Sequence, residues 1–179
     1  MANGRKRRKG ILIGVIGGAV LLGLAALVLR LTGVLGPGAA KAGLTVGTDV
    51  KAEEITEFWY TLSASTYPPR YQRYRFYAEE GRRCFYHEKR EGDHWPLREA
   101  DITVAGTREL TQSEWASFLG LLRDGTVRKR AEHPEDGDPG PWMYLYWTGD
   151  RGQWQEYAFP SLQARSAFEE LCAALTEEG

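Results

Sequence analysis

The sequence predicts an α+β fold behind one membrane-spanning segment: an N-terminal transmembrane helix, then a mostly antiparallel sheet with two helices on one face. Three observations carry that expectation. Residues Gly10–Leu29 form an unbroken run of twenty side chains with no charge and no proline. From Ile55 onward, short aromatic and β-branched stretches alternate in polarity and are joined by glycine-bearing turns, the pattern of antiparallel strands. Two later stretches space apolar residues as a helix does, and an amphipathic helix needs a sheet or another helix to cover.

The apolar run comes first. As a helix it rises about 1.5 Å per residue, roughly 30 Å in all, which matches the hydrocarbon thickness of a bilayer. A helix satisfies its own backbone hydrogen bonds, which lipid does not do. Leu31–Leu35 extend the segment to about residue 35, where Gly36-Pro37-Gly38 ends it. The first 42 residues hold no acidic residue, no aromatic residue and no cysteine, but they hold seven basic ones, five of them in Arg5–Lys9. Removing those seven from the chain's 23 Lys and Arg leaves 16 basic residues against all 24 acidic ones, so the outer part carries about −8. Positive charge is retained on the cytoplasmic side. The expected topology is therefore single-pass in the cell membrane, with the N-terminus cytoplasmic and the C-terminal domain outside. The alternative is secretion after cleavage near Ala42, because Ala40-Lys41-Ala42 has the small-x-small form of a signal-peptide site.

The expected organisation is a basic head at 1–9, a transmembrane helix over 10–35, a flexible linker over 36–54 and an extracytoplasmic domain over 55–179. The linker is small, polar and rich in Gly and Pro, with a short edge strand at Leu44–Val46. Gly10, Gly14 and Gly18 fall on one helix face at four-residue spacing, a candidate surface for a homodimer or a partner helix. The basic cluster reads as a topology signal facing anionic headgroups, and no nucleic-acid partner is expected.

In the outer domain, Ile55–Ala64 sets Phe58, Tyr60 and Leu62 against Trp59, Thr61 and Ser63, as a strand with one buried face does. Tyr71–Ala78 and Arg82–Lys89 flank Glu79-Glu80-Gly81, a hairpin turn. Ile102–Val104 makes a further short strand. Thr111-Gln112-Ser113-Glu114 is a capping box that opens a helix, and Trp115, Phe118, Leu119 and Leu122 share its apolar face. Gly125 is placed to close that helix. Trp142–Trp147 and Trp154–Phe159 make a second hairpin around Gly149-Asp150-Arg151-Gly152. Ser161 then caps a last helix with Ala164, Phe168, Leu171, Cys172 and Leu175 on one face.

The candidate sites follow from residue chemistry. Cys84 and Cys172 are the only cysteines, and an oxidising compartment permits a bridge between them; two small buried hydrophobes are the alternative. Tyr71, Arg73, Arg75 and Tyr77 share one strand face. Rings interleaved with guanidinium groups make contact anchors, so these four, with Trp142, Trp147 and Trp154, form the candidate binding face. His87, Glu88, Glu91, Asp93 and His94 fit no zinc spacing. There is no nucleophile elbow and no Gly-rich phosphate loop with its lysine. No catalytic residue, no metal and no cofactor are assigned, and an enzyme is not expected.

Phe58-Trp59-Tyr60, the Tyr-x2-Tyr-x-Phe strand at Tyr71–Phe76, the helix start Leu110-Thr111…Trp115 and Phe159-Pro160 together resemble exported and membrane-anchored proteins of Gram-positive gut bacteria. The likeness covers about residues 55–175 and implies location and an α+β arrangement, but no activity. Three functions stay open. One is a binding or interaction module displayed outside the membrane, taking a protein, a peptide or a wall polymer. Another is a structural or assembly subunit that uses the glycine face. The last is an enzyme that brings His87 or His94 to a carboxylate.

Overall fold

The computed structural model describes residues 43–130 and 140–177. The chain divides into two units, Met1–Lys41 and Ala42–Gly179. The basic head, the apolar run and the Gly10, Gly14, Gly18 face lie outside the described residues. Among the described residues no helix is long and apolar enough to cross a membrane.

The second unit is α+β: one eight-stranded antiparallel sheet and two helices. In chain order the strands are β1 (Leu44–Thr45), β2 (Ile55–Ala64), β3 (Arg70–Glu79), β4 (Arg82–Glu91) and β5 (Ile102–Glu109). Helix α1 (Gln112–Leu122) follows, then β6 (Thr126–Lys129), β7 (Trp142–Trp147), β8 (Trp154–Ala158) and α2 (Leu162–Glu177). Across the sheet the order is β1-β6-β8-β7-β2-β3-β4-β5. The run β2 to β5 is a meander. Its tightest turn is Glu80-Gly81, between paired Glu79 and Arg82, and both turn residues take positive φ, 51° and 79°. A two-residue turn of that kind matches the twist of its flanking strands.

Both helices cover one face. Phe118 of α1 stacks on Phe76 at 4.1 Å between ring centroids, and Phe168 of α2 lies 5.3 Å from Tyr60 and 5.4 Å from Phe58. Trp115, Phe118 and Leu122 from α1 and Phe168, Cys172 and Leu175 from α2 are buried with Phe58, Tyr60, Tyr74, Phe76 and Phe85 of the strands. The capping box forms as expected: Thr111 Oγ1 accepts from the Glu114 amide at 3.2 Å, and the Glu114 carboxylate accepts from the Thr111 amide at 2.6 Å. Ser161 caps α2, its hydroxyl oxygen accepting from the Ala164 amide at 3.1 Å.

Several expectations need correction. Residues 43–54 are not a linker. The edge strand expected at Leu44–Val46 does form, as Leu44–Thr45 paired with β6, but the stretch around it is not a free tether: Val46 and Val50 are each 1% exposed within the core. Two aliphatic side chains fully removed from water contribute about 1.5–3 kcal/mol each, enough to draw a small, polar stretch into the fold. Strand β5 runs for eight residues, not three, and the four residues of β6 were not foreseen as a strand. Gly125 does not close α1 by its conformation; Asp124 takes the positive φ of 64° there. Gly125 is needed for space instead, since a Cβ on it would lie 2.2 Å from the Tyr157 hydroxyl oxygen.

Candidate functional site

Side chains along a strand alternate between the two faces of a sheet, and paired residues share a face. The registers therefore assign every residue. With Phe58, Tyr60, Tyr74, Phe76 and Phe85 under the helices, the opposite face is built in rows. Tyr144, Trp59, Arg75 and Tyr86 pair in sequence across β7, β2, β3 and β4. Trp142, Thr61, Arg73 and Glu88 form the next row, and Tyr146, Glu57, Tyr77 and Cys84 flank the first on its other side. Ser63, Tyr71 and Arg90 complete the pattern. Neither helix reaches this face.

Its rings and guanidinium groups interlock. The Arg73 guanidinium carbon lies 5.0 Å from the Trp59 ring centre and 5.2 Å from that of Tyr71, and Arg75 lies 4.9 Å from Trp59 and 4.2 Å from Tyr77. Arg90 sits 4.4 Å over Tyr71. Contacts of this kind contribute about 0.5–1 kcal/mol where water reaches them and more where it does not. Two of the three arginines also hold carboxylates: Arg75 donates to Glu57 at 2.5 Å, and Arg90 donates to Glu88. Arg73 has no ion pair among the described residues, and its buried Nε has no hydrogen-bond partner.

Glu88 is 4% exposed, an unusual place for a carboxylate. Burial alone would raise its pKa. Hydrogen bonds from Tyr86 (2.6 Å) and Arg90, with the charges of Arg90 and Arg73, outweigh that and hold it below the usual range. Burial and the hydrogen bond to Glu88 push the Tyr86 phenol up to about 12. The face is a coupled set of charges and rings, anchored on one buried anion.

The residues singled out from sequence divide. Tyr71, Arg73, Arg75, Tyr77 and Trp142 do share the helix-free face. Trp147 does not; it pairs with Ile55 and packs against the core. Trp154 pairs with Lys129 at an irregular register and also packs against the core. Trp59, Tyr86, Tyr144 and Tyr146 belong to the face and were missed. The phase of Trp59 was visible in the alternation of β2, but which strands flank it was not.

The bridge between Cys84 and Cys172 does not form. Both thiols are free and buried. Cys84 is the cross-strand neighbour of Tyr77 on the helix-free face, whereas Cys172 lies in the core beneath α2. The sheet stands between them. Burial raises the Cys172 thiol well above its ordinary pKa, so it is held as an inert thiol.

At the end of the sheet where β2 finishes and β3 begins, a groove of about 860 Å³ opens beside Tyr71. Leu62, Ser63 and Tyr71 line it, Pro68, Pro69 and Pro141 wall it, and Arg70, Lys89, Arg90 and Arg165 give it charge. That size suits a small molecule or one unit of a polymer.

His87 and His94 are elsewhere. His87 stacks on Phe85, 6.2 Å between ring centres, and burial lowers its pKa; its Nε2 is buried without a hydrogen-bond partner. His94 does reach carboxylates, Asp93 at 3.4 Å and Asp101 at 3.3 Å, but in a half-exposed turn where both ring nitrogens are taken. Among the described residues no three His, Cys, Asp or Glu side chains are grouped to hold a metal ion. Comparison with family models, with curated proteins and with solved structures finds no match.

Proposed function

We propose that this chain is a non-enzymatic binding module, held at the membrane by residues 10–35 with its C-terminal domain outside the cell, and that it recognises its target through the helix-free face of the sheet. One observation supports the reading above all. Among the described residues, a face of Trp59, Tyr71, Tyr77, Tyr86, Tyr144 and Arg73 is left without a covering helix, although the domain's α1 and α2 both lie on the other side. Aromatic and arginine side chains dominate the energetics of recognition surfaces, because each buries a large area and keeps a directional contact. The rings are half-buried among the guanidinium groups that separate them, so the surface is pre-ordered and little side-chain entropy is lost on binding. The natural partner is an extended chain, peptide or wall polymer, laid across the rows.

The test uses the full chain in lipid nanodiscs, applied to an array of defined peptides and cell-wall glycans. Binding to a subset of the array is expected, with loss of every hit in the Trp59→Thr/Arg73→Gln variant. An empty array, or hits indifferent to that double change, refutes the reading. Trypsin applied to intact cells tests the topology: it should degrade residues 55–179, and a protected domain would contradict the placement.

A further inference from the structure

The groove beside Tyr71 has a charge opposite to that of the domain around it. The chain from residue 43 onward carries 16 basic against 24 acidic residues, yet Arg70, Lys89, Arg90 and Arg165 line the groove against Glu91 alone. Lys89 is held by Glu91 at 2.5 Å and Arg90 by Glu88. Arg70 is exposed and has no ion pair among the described residues. Arg165 is ion-paired with Glu169 at 3.5 Å, but its Nε is buried without a hydrogen-bond partner. The Tyr71 hydroxyl, also in the groove lining, is buried and likewise without a partner.

We infer that this groove is a binding site for the phosphate group of a ligand. The inference rests on the reading of the domain as a binding module and adds the chemistry of one part of its target. Its physical basis is the kind of group left unsatisfied. The Arg165 Nε and the Tyr71 hydroxyl are buried donors without an acceptor, which is costly, and Arg70 adds an exposed donor to the same lining. What they require is an acceptor-rich partner. Guanidinium groups match the oxygens of phosphate and carboxylate two at a time. With Lys89 held by Glu91 and Arg90 by Glu88, the guanidinium groups of Arg70 and of Arg165, the latter 3.5 Å from Glu169, are left to face the groove, and they favour the group with three terminal oxygens and up to two negative charges. Leu62, the Tyr71 ring and the prolines then offer an apolar seat for whatever bears the phosphate. Two sources share this chemistry, a soluble phosphate ester and the headgroup of an anionic lipid.

The experiment follows the arginine Nε–Hε resonances of the full chain in a non-ionic detergent. Inorganic phosphate is titrated in one arm, and vesicles of phosphatidylcholine with or without phosphatidic acid are added in the other. Saturable shifts at Arg70 and Arg165 are expected, with affinity reduced at least tenfold in Arg70→Gln/Arg165→Gln and less in Tyr71→Phe. Arg128→Gln, on β6 toward the opposite edge of the sheet, should leave affinity unchanged. Shifts with inorganic phosphate support the site and assign it a soluble ester. Shifts only with phosphatidic acid support it and assign it a lipid. No saturable shift in either arm, or native affinity in the double variant, overturns the inference. Arg165→Lys guards against misfolding, since it keeps the charge and the aliphatic stem but loses the planar fork; native affinity in a folded Arg165→Lys also counts against the site. Array binding that survives in Arg70→Gln/Arg165→Gln, with phosphate binding absent, would remove the groove assignment and leave the binding-module reading intact.

Discussion

The two faces of the sheet are made from alternate residues of the same strands, yet they are held in different ways. On the helix side, Phe58, Tyr60, Phe76 and Phe85 are excluded from water by α1 and α2, and edge-to-face and stacked rings fill the space between. On the other side, rings of similar size stay partly exposed and are separated by guanidinium groups that carry charge to the surface. The contrast shows that aromatic content alone does not make a core. What decides is whether the residues between the rings are apolar, so that a helix can press on them, or charged, so that a helix there would strand their charges away from water.

If the contrast holds, substitutions on the two faces should differ sharply in cost. The largest effect belongs to the helix side. Phe76→Ala removes a fully buried ring stacked between strand and helix and should cost about 3–5 kcal/mol in urea unfolding. Trp59→Thr, at the centre of the other face, should cost about 1 kcal/mol. Equal costs would break the comparison.

Next is Glu88, the one deeply buried charge of the helix-free face. Glu88→Gln strands Arg90, whose side chain is only 13% exposed, and should cost about 3 kcal/mol. Its pH dependence has a definite sign. The folded carboxyl lies below its usual pKa, so the unfolded chain binds the proton more readily and stability is lost as pH falls. The contribution is complete above the unfolded value of about 4.3 and disappears as pH drops through the lower folded value. Acid unfolding of Glu88→Gln should accordingly be flatter below about pH 5 than that of the native chain.

The smallest effect sharpens the comparison on β4, the strand next to the sheet's edge. Burial lowers the pKa of His87 on the helix side, so the unfolded chain again binds its proton first. Stability present above about pH 6.5 should decline as pH falls through that value. His87→Leu should abolish this slope while leaving the neutral-pH melting temperature within a few degrees. A slope that persists would locate the titration elsewhere.

Much of the local structure was legible. The capping box at Thr111–Glu114, the Ser161 cap, the Glu80-Gly81 turn and the alternation of β2 each depend on residues within a few positions of one another. The misses share one cause. Thr126–Lys129 is four residues with no alternation strong enough to read, and it becomes a strand because β1 and β8 pair on either side of it. Val46 and Val50 were hidden in a polar stretch until β6 and α1 gave them a core to enter. The face of Cys84 was undecidable until its register with Tyr77 was known. For the candidate face, five of the seven residues named from sequence were placed together, and the groove at its end was not visible at all.

By itself the sequence determined most of the element types, the N-caps of the two helices and the alternation within β2, since periodicity and capping are properties of neighbours along one chain. It also carried the expectation of a membrane segment, through twenty uncharged residues in a row. Only the tertiary structure decided the strand order, which face the helices cover, and that Arg70, Tyr71 and Arg165 line one groove. Those outcomes follow from lateral pairing between distant strands, which is selected by the free energy of burying one whole face of the sheet at once.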